Sequence, residues 1–250
     1  MSRPTSNLFG WVLALLAIGL FCSLGAWQLD RARQKEAMLI EANAVLAAQV
    51  PLALAAAADP ERASSYDWAQ GSGRFTAAPA VLLDNQGYQG RSGIRVLRVF
   101  QPDGNSAPLL VDLGWLPLPG DRRLPAIDRW PDTRSVAGLL APPPSAGLAS
   151  EVAVPQADGN LLVTSLDRPF LGETLMLPAL APRLLRLDPS IQIGYARDLE
   201  ILPNTLPPER HLGYAVQWFG LALAVFITTL VLTLRKRRQR GNAAHEKIAP

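Results

Sequence analysis

Cysteine is nearly absent from this chain of 250 residues: the only one, Cys22, lies in an apolar stretch, so no disulfide framework staples the fold. Histidine is almost as scarce. An enzyme relying on a histidine base could draw only on His211 and His245, and His245 sits in a charged C-terminal tail. The chain contains no Gly-x-Ser-x-Gly, His-Glu-x-x-His, Cys-x-x-Cys, Walker or dinucleotide glycine pattern. Gly71-Ser72-Gly73 is too short for a phosphate loop and reads as a strand-end turn. Asp84, Asp112, Asp128 and Asp167 leave a carboxylate-based hydrolase open, since the sequence cannot pair them. Charge is short as well, at 18% of residues against roughly 25% in ordinary soluble domains.

The charge deficit has a location. Residues 8–29 (LFGWVLALLAIGLFCSLGAWQL) and 213–234 (GYAVQWFGLALAVFITTLVLTL) carry no charge, and each is 22 residues long. Such helices reach about 33 Å, enough to cross a hydrocarbon core of about 30 Å. A cleavable signal is the competing reading of the first stretch, but the run is longer than a signal core, and bulky Trp27 follows its small residues. Arg235, Lys236, Arg237, Arg238 and Arg240 follow the second, a stop-transfer pattern that places the C-terminus in the cytoplasm. Two spans then return the N-terminus to the same side. The expected layout is a cytoplasmic N-terminus (1–7), a first transmembrane helix (8–29), an external domain (30–212), a second transmembrane helix (213–234) and a basic cytoplasmic tail (235–250). A bacterial inner membrane with a periplasmic domain is the simplest setting, and a mitochondrial inner membrane protein would look similar. The +3 net charge comes from the tail beside a span, and nothing in the middle suggests nucleic acid.

Residues 30–50 lack Gly and Pro and repeat Met38, Leu39, Ala42, Val45 and Leu46 at helical spacing, which continues the first span outward as a helix until Pro51. The Ala-rich residues up to Asp59-Pro60 read as a linker or short helix. Beyond Tyr66, short apolar runs alternate with turn residues, giving expected strands at 67–75, 80–86, 93–101, 108–113, 135–140, 161–165, 182–188 and 191–196. Pro102-Asp103-Gly104-Asn105 is the best hairpin signal, residues 167–176 a short helix, and the Pro-rich segments 116–131 and 141–155 long loops. The fold class expected is two transmembrane helices flanking a mainly β external domain, barrel or sandwich, with a helix continuing from the first span.

His211 stands where that domain meets the second span. On a helix His211, Tyr214, Ala215 and Trp218 share one face, Trp27 and Gln28 end the first span at the same depth, and Arg31 and Arg210 adjoin them. Two readings stand open: an aromatic belt anchoring the helices at the headgroups, or an axial imidazole ligand for a flat apolar cofactor such as haem, with arginines for its propionates. Gly10, Gly19, Gly25 and Ala26 in the first span, with Gly213, Gly220, Ala222 and Ala224 in the second, let helices approach closely.

Leu24-Gly25-Ala26-Trp27-Gln28-Leu29-Asp30-Arg31 with Lys35 resembles the LGxWQxxR…K signature that closes the first span in the Surfeit-locus (Shy-type) family of cytochrome c oxidase assembly proteins. His211-Leu212-Gly213-Tyr214-Ala215-Val216-Gln217-Trp218-Phe219 is similar to that family's HxxYAxxWF signature. Gly71-Ser72-Gly73-Arg74-Phe75, Leu82-Leu83-Asp84-Asn85, Gly93 and 111–117 resemble its internal run. One position departs: Leu113 stands where the family commonly has arginine in Val-Asn-Arg-Gly-Trp, and Arg95 or Arg122 is a candidate substitute. Gly114-Trp115 itself reads as a strand end with a packed Trp.

The resemblance implies a non-enzymatic assembly factor of the respiratory chain that binds or positions haem A for the catalytic subunit of cytochrome c oxidase. Haem A would be the cofactor, with His211 as its metal ligand. Trp27, Tyr214 and Trp218 become candidate pocket walls, and Arg31 and Arg210 candidate propionate partners. Its partners would be that catalytic subunit, haem A synthase as a further candidate, and membrane lipid. The alternative is a cofactor-free membrane scaffold that stabilises an oxidase assembly intermediate.

Overall fold

The computed structural model describes residues 5–128, 133–144, 152–177, 179–201 and 205–246 and divides the chain into two compact units, Met38–Thr205 and the paired ends Met1–Ala37 and Leu206–Pro250. Helix α1 (Thr5–Ala48) is unbroken from the first apolar stretch into the β unit. There Ala42 is fully buried, and Met38, Val45 and Leu46 pack beside it against Tyr66, Leu139, Ala141, Leu199 and Ile201, the stripe that the helical spacing anticipates. The Glu41 carboxylate accepts the Tyr66 backbone N–H at 3.0 Å, fixing the helix to the chain that enters the sheet. Gln49 leaves the helix in the left-handed region (φ 45°), and Pro51 lacks the N–H needed to continue it.

Among the described residues the β unit holds β1 (Pro51–Ala53), β2 (Asp67–Phe75), β3 (Val81–Tyr88), β4 (Arg91–Pro102), β5 (Leu109–Pro117), β6 (Thr133–Ala141), β7 (Ala153–Pro155), β8 (Leu161–Val163) and β9 (Leu184–Leu187). Helix α2 (Arg168–Thr174) lies between β8 and β9, capped by the Asp167 carboxylate, which accepts the Phe170 N–H at 2.9 Å. The sheet order is β1-β2-β6-β9-β5-β4-β3-β8-β7, and β2 also pairs with β4. That extra pairing closes β2, β6, β9, β5 and β4 into a five-stranded barrel, which resolves barrel against sandwich. Ala69, Phe75, Phe100, Val111, Leu113, Val136, Leu140, Leu185 and Leu187 form its buried core. A second cluster, with Val81, Leu97, Val99, Leu110, Val163 and Leu171, packs the other face of β4 and β5 under α2 and the β3–β8 wing. Full burial of each large aliphatic side chain contributes about 1.5–3 kcal/mol, so two such clusters hold the unit without a cross-link.

Several expectations are corrected. Gly71-Ser72-Gly73 is not a strand-end turn but the middle of β2, where the barrel closes. A Cβ on Gly73 would lie 2.3 Å from the Gln101 carbonyl oxygen, so only glycine lets β2 and β4 approach there. Gly114-Trp115 lies inside β5, which runs on to Pro117. The pairing of β4 with β5 slips by one residue between Val96 and Leu97, and Gly114 adopts φ 116° beside the Tyr195 carbonyl.

Residues 191–196 form no strand. Gly194 (φ 83°) breaks the extended chain, and the Arg197 guanidinium takes up the carbonyls of Asp188, Ile191, Ile193 and Tyr195, leaving one bridge from Trp115 to Ala196. The Ala-rich linker contains β1 and a 3-10 helix (Leu54–Ala58), and the second expected loop contains β7. Parts of both expected loops, 129–132 and 145–151, lie outside the described residues.

In the terminal unit α1 is joined by α3 (Pro208–Glu246). Both helices are long and apolar enough to cross a membrane, and together they flank the β domain in sequence. Their contacts run in opposite senses: Trp11 donates its indole N–H to Thr233 Oγ1 at 3.1 Å, Phe21 stacks on Trp218 at 5.7 Å, and Gly25 faces the Phe219 ring. The pair is therefore antiparallel. Outward-facing Leu8, Leu13, Leu16, Leu20, Val216, Leu223 and Leu232 are half or more exposed, as lipid-facing side chains are.

Candidate functional site

The helix pair places His211 by the packing of small residues. Ala14, Gly25 and Ala32 are buried on α1, and His211, Ala215 and Ala222 on α3, at spacings that keep each set on one side of its helix. Of the glycines in the two spans, Gly25 is the one at close contact: a Cβ there would fall 2.8 Å from the Phe219 ring, whereas Gly10, Gly19, Gly213 and Gly220 face open space. This approach brings Gln28, one turn beyond Gly25, against His211.

His211 is only 7% exposed. Its Nδ1 lies 2.7 Å from Gln28 Oε1, and its buried Nε2 has no hydrogen-bond partner among the described residues. A buried polar atom without a partner is rare in folded proteins, because desolvation goes uncompensated. An imidazole held at one nitrogen and unpaired at the other has the donor chemistry of an axial metal ligand.

The structure brings some expected site residues together and leaves others apart. Trp218 shares the inward face with His211 but is stacked on Phe21. Tyr214, at 39% exposure, stands at the edge of the interface. Trp27 is 53% exposed, since one residue of helix turns it about 100° from Gln28. Arg210 is exposed, and Arg31, also exposed, donates to Gln34 at 3.0 Å. None of Trp27, Tyr214, Arg31 and Arg210 hydrogen-bonds the imidazole. Sequence reasoning set Gln28 at the right depth but not as the partner of His211; its signal was the i, i+3, i+7 stripe Gly25, Gln28, Ala32.

Among the described residues the β unit offers no comparable centre. The two candidate substitutes for the family arginine are already engaged: Arg95 with Asp112 at 2.8 Å, both buried, and Arg122 with Asp84 at 2.6 Å. With Asp167 capping α2, three of the four carboxylates considered for hydrolysis serve the fold. A cleft of about 1060 Å³ is lined by Arg74, Arg98, Asp128 and Asp158 among others, so both signs of charge face it; Asp128, the fourth carboxylate considered for hydrolysis, lies on it, and none of the expected haem-site residues does. Among the described residues no group of three or more His, Cys, Asp or Glu is arranged to hold a metal ion.

Comparison with known proteins bears on the whole chain. The model of the SURF1 family, the Surfeit locus 1 family, matches residues 15–223, from within the first apolar helix to within the second. No match is found among curated proteins.

Proposed function

The chain belongs to the SURF1 family, a family of cytochrome oxidase assembly factors, and we propose that its own part in that assembly is to hold haem A for insertion into the catalytic subunit. The observation that carries this reading is the buried His211 imidazole, with Nδ1 engaged by Gln28 and Nε2 unpaired. That donor fits haem iron, for which a neutral imidazole nitrogen is a standard axial ligand. When bound, haem A supplies the redox iron centre that the oxidase requires.

The protein's contribution is positional. Gln28 and His211 lock the ligand between two helices that cross the membrane, so an apolar macrocycle need not leave the lipid phase. Trp27 and Tyr214 would give exposed aromatic surface for the macrocycle, and Trp218 lies on the helix face of His211, stacked on Phe21. Arg31 and Arg210, both exposed, are the propionate partners. The basic run after the second span supports cytoplasmic termini and a β domain on the periplasmic face of a bacterial inner membrane. The catalytic subunit of the oxidase is the partner, and haem A synthase the donor.

The test is the optical spectrum of the full-length protein, purified in detergent after co-production with haem A synthesis, for wild type and His211→Ala at equal folded yield. A reducible a-type absorption in wild type, lost or shifted in His211→Ala, is the expected result. A colourless wild type with haem A present overturns the reading in favour of the cofactor-free scaffold.

A further inference from the structure

Resting on the haem-ligand reading, we infer that Gln28 is the positioning residue of the site: its side-chain oxygen selects the Nδ1–H tautomer of His211 and thereby presents the Nε2 lone pair. An amide oxygen can only accept, so at 2.7 Å the proton of the contact belongs to Nδ1. A neutral imidazole carries one N–H, so Nε2 is then unprotonated. The reverse arrangement, with the amide nitrogen donating to Nδ1, would put the proton on Nε2, where a buried N–H would face no acceptor. The short contact from the amide oxygen to Nδ1 is the observation that assigns the tautomer, and it leaves Nε2 as the unpaired nitrogen.

Packing leaves little freedom for another arrangement. Gln28 and Ala32 lie one and two turns beyond Gly25 on α1, Ala215 one turn beyond His211 on α3, and the contact between Gly25 and Phe219 sets how near the helices come. Gln28 therefore acts on a ligand through His211, as partners behind metal-binding histidines do when they fix tautomer and ring orientation.

The tautomer is read in the ligand-free protein by ¹⁵N chemical shifts of the full-length chain labelled at histidine, with His245→Gln used to assign the signals. The wild type is expected to show a protonated Nδ1 and a bare Nε2. Gln28→Glu, which keeps an acceptor, retains that pattern, whereas Gln28→Leu loses it toward protonated Nε2 or a mixture. In parallel, titration with haem A in detergent is expected to show an affinity loss of about 10- to 100-fold for Gln28→Leu and a smaller one for Gln28→Glu.

A protonated Nε2 in wild type, or a tautomer unchanged in Gln28→Leu, overturns the inference even if haem A binds. Should haem A bind none of the proteins while the tautomers behave as expected, the role of Gln28 toward His211 stands and the haem reading falls.

Discussion

Arg183 and Asp67 allow a sharp thermodynamic test of how the barrel is held. The Arg183 side chain is 0% exposed and donates to Asp67 Oδ2 at 2.5 Å, and also to the carbonyls of Ala56 and Ser65. It thus ties the entry of β9 to the start of β2 and to the 3-10 helix. Asp67 also receives two hydrogen bonds from half-exposed Arg62. Removing one partner of a buried pair costs about 3–5 kcal/mol, because a charge is stranded, whereas replacing both by apolar groups of similar size is near neutral. Asp67→Leu strands a fully buried guanidinium, so its thermal midpoint should fall by roughly 10 °C. The double variant Asp67→Leu/Arg183→Met should recover most of that loss.

The pH dependence has a defined sign. Burial raises the Asp67 carboxyl pKa, but the hydrogen bonds from Arg62 and Arg183 outweigh it and hold the pKa below its ordinary value. A depressed folded pKa stabilises the protein above the unfolded value of about 3.9 and loses that contribution as pH falls through the folded value. The gap between wild type and Asp67→Asn should therefore narrow below about pH 4. Intrinsic tryptophan fluorescence of the full-length protein in detergent, melted at several pH values, measures both effects. A double variant as unstable as the sum of the singles, or a gap that widens in acid, would refute the buried-pair account.

Two further outcomes follow from the glycine contacts. Gly73→Val should destabilise the barrel by about 3 kcal/mol or more, since its new Cβ meets backbone. Gly71→Ala, whose Cβ meets the Leu54 side chain at 3.1 Å and no backbone, should cost less, and limited proteolysis of the two proteins checks the contrast. In the terminal unit Gly25→Leu should separate α1 from α3 while Gly19→Leu leaves them paired; bis-maleimide cross-linking of Trp11→Cys with Thr233→Cys, in a Cys22→Ser background, reads the difference.

Much of the β unit was legible because its signals are local. Asp67–Phe75 begins after a run of turn residues, and Pro102-Asp103-Gly104-Asn105 turns β4 into β5 as expected. What escaped depends on contacts distant in sequence. β1 and β7 are three residues each, and only their pairing with β2 and β8 makes them strands. Residues 191–196 have strand-forming side chains, but Arg197 and Gly194 settle their conformation. The closure at Gly73 is invisible in a short glycine-serine-glycine run until β4 lies across it.

The same distinction explains Leu113 and the helix pair. At the position where the family commonly has arginine, Leu113 is fully buried in the barrel core, and its neighbour Asp112 pairs with Arg95 and accepts the Gly114 N–H at 2.9 Å. The departure is therefore accommodated by apolar packing and a neighbouring ion pair, and neither Arg95 nor Arg122 is left uncommitted as its substitute. In the helices, counting residues from the ends of the apolar stretches gives depth, which is why Gln28 and His211 could be placed at the same level. Depth does not give rotation. Four small residues in each span could have formed the seam, and Gly25 against Phe219 is the contact that turns Gln28 inward and leaves Trp27, its neighbour in sequence, exposed. An aromatic motif read as a single patch thus divides by helix phase: Gln28 and His211 face each other, while Trp27 and Tyr214 remain exposed.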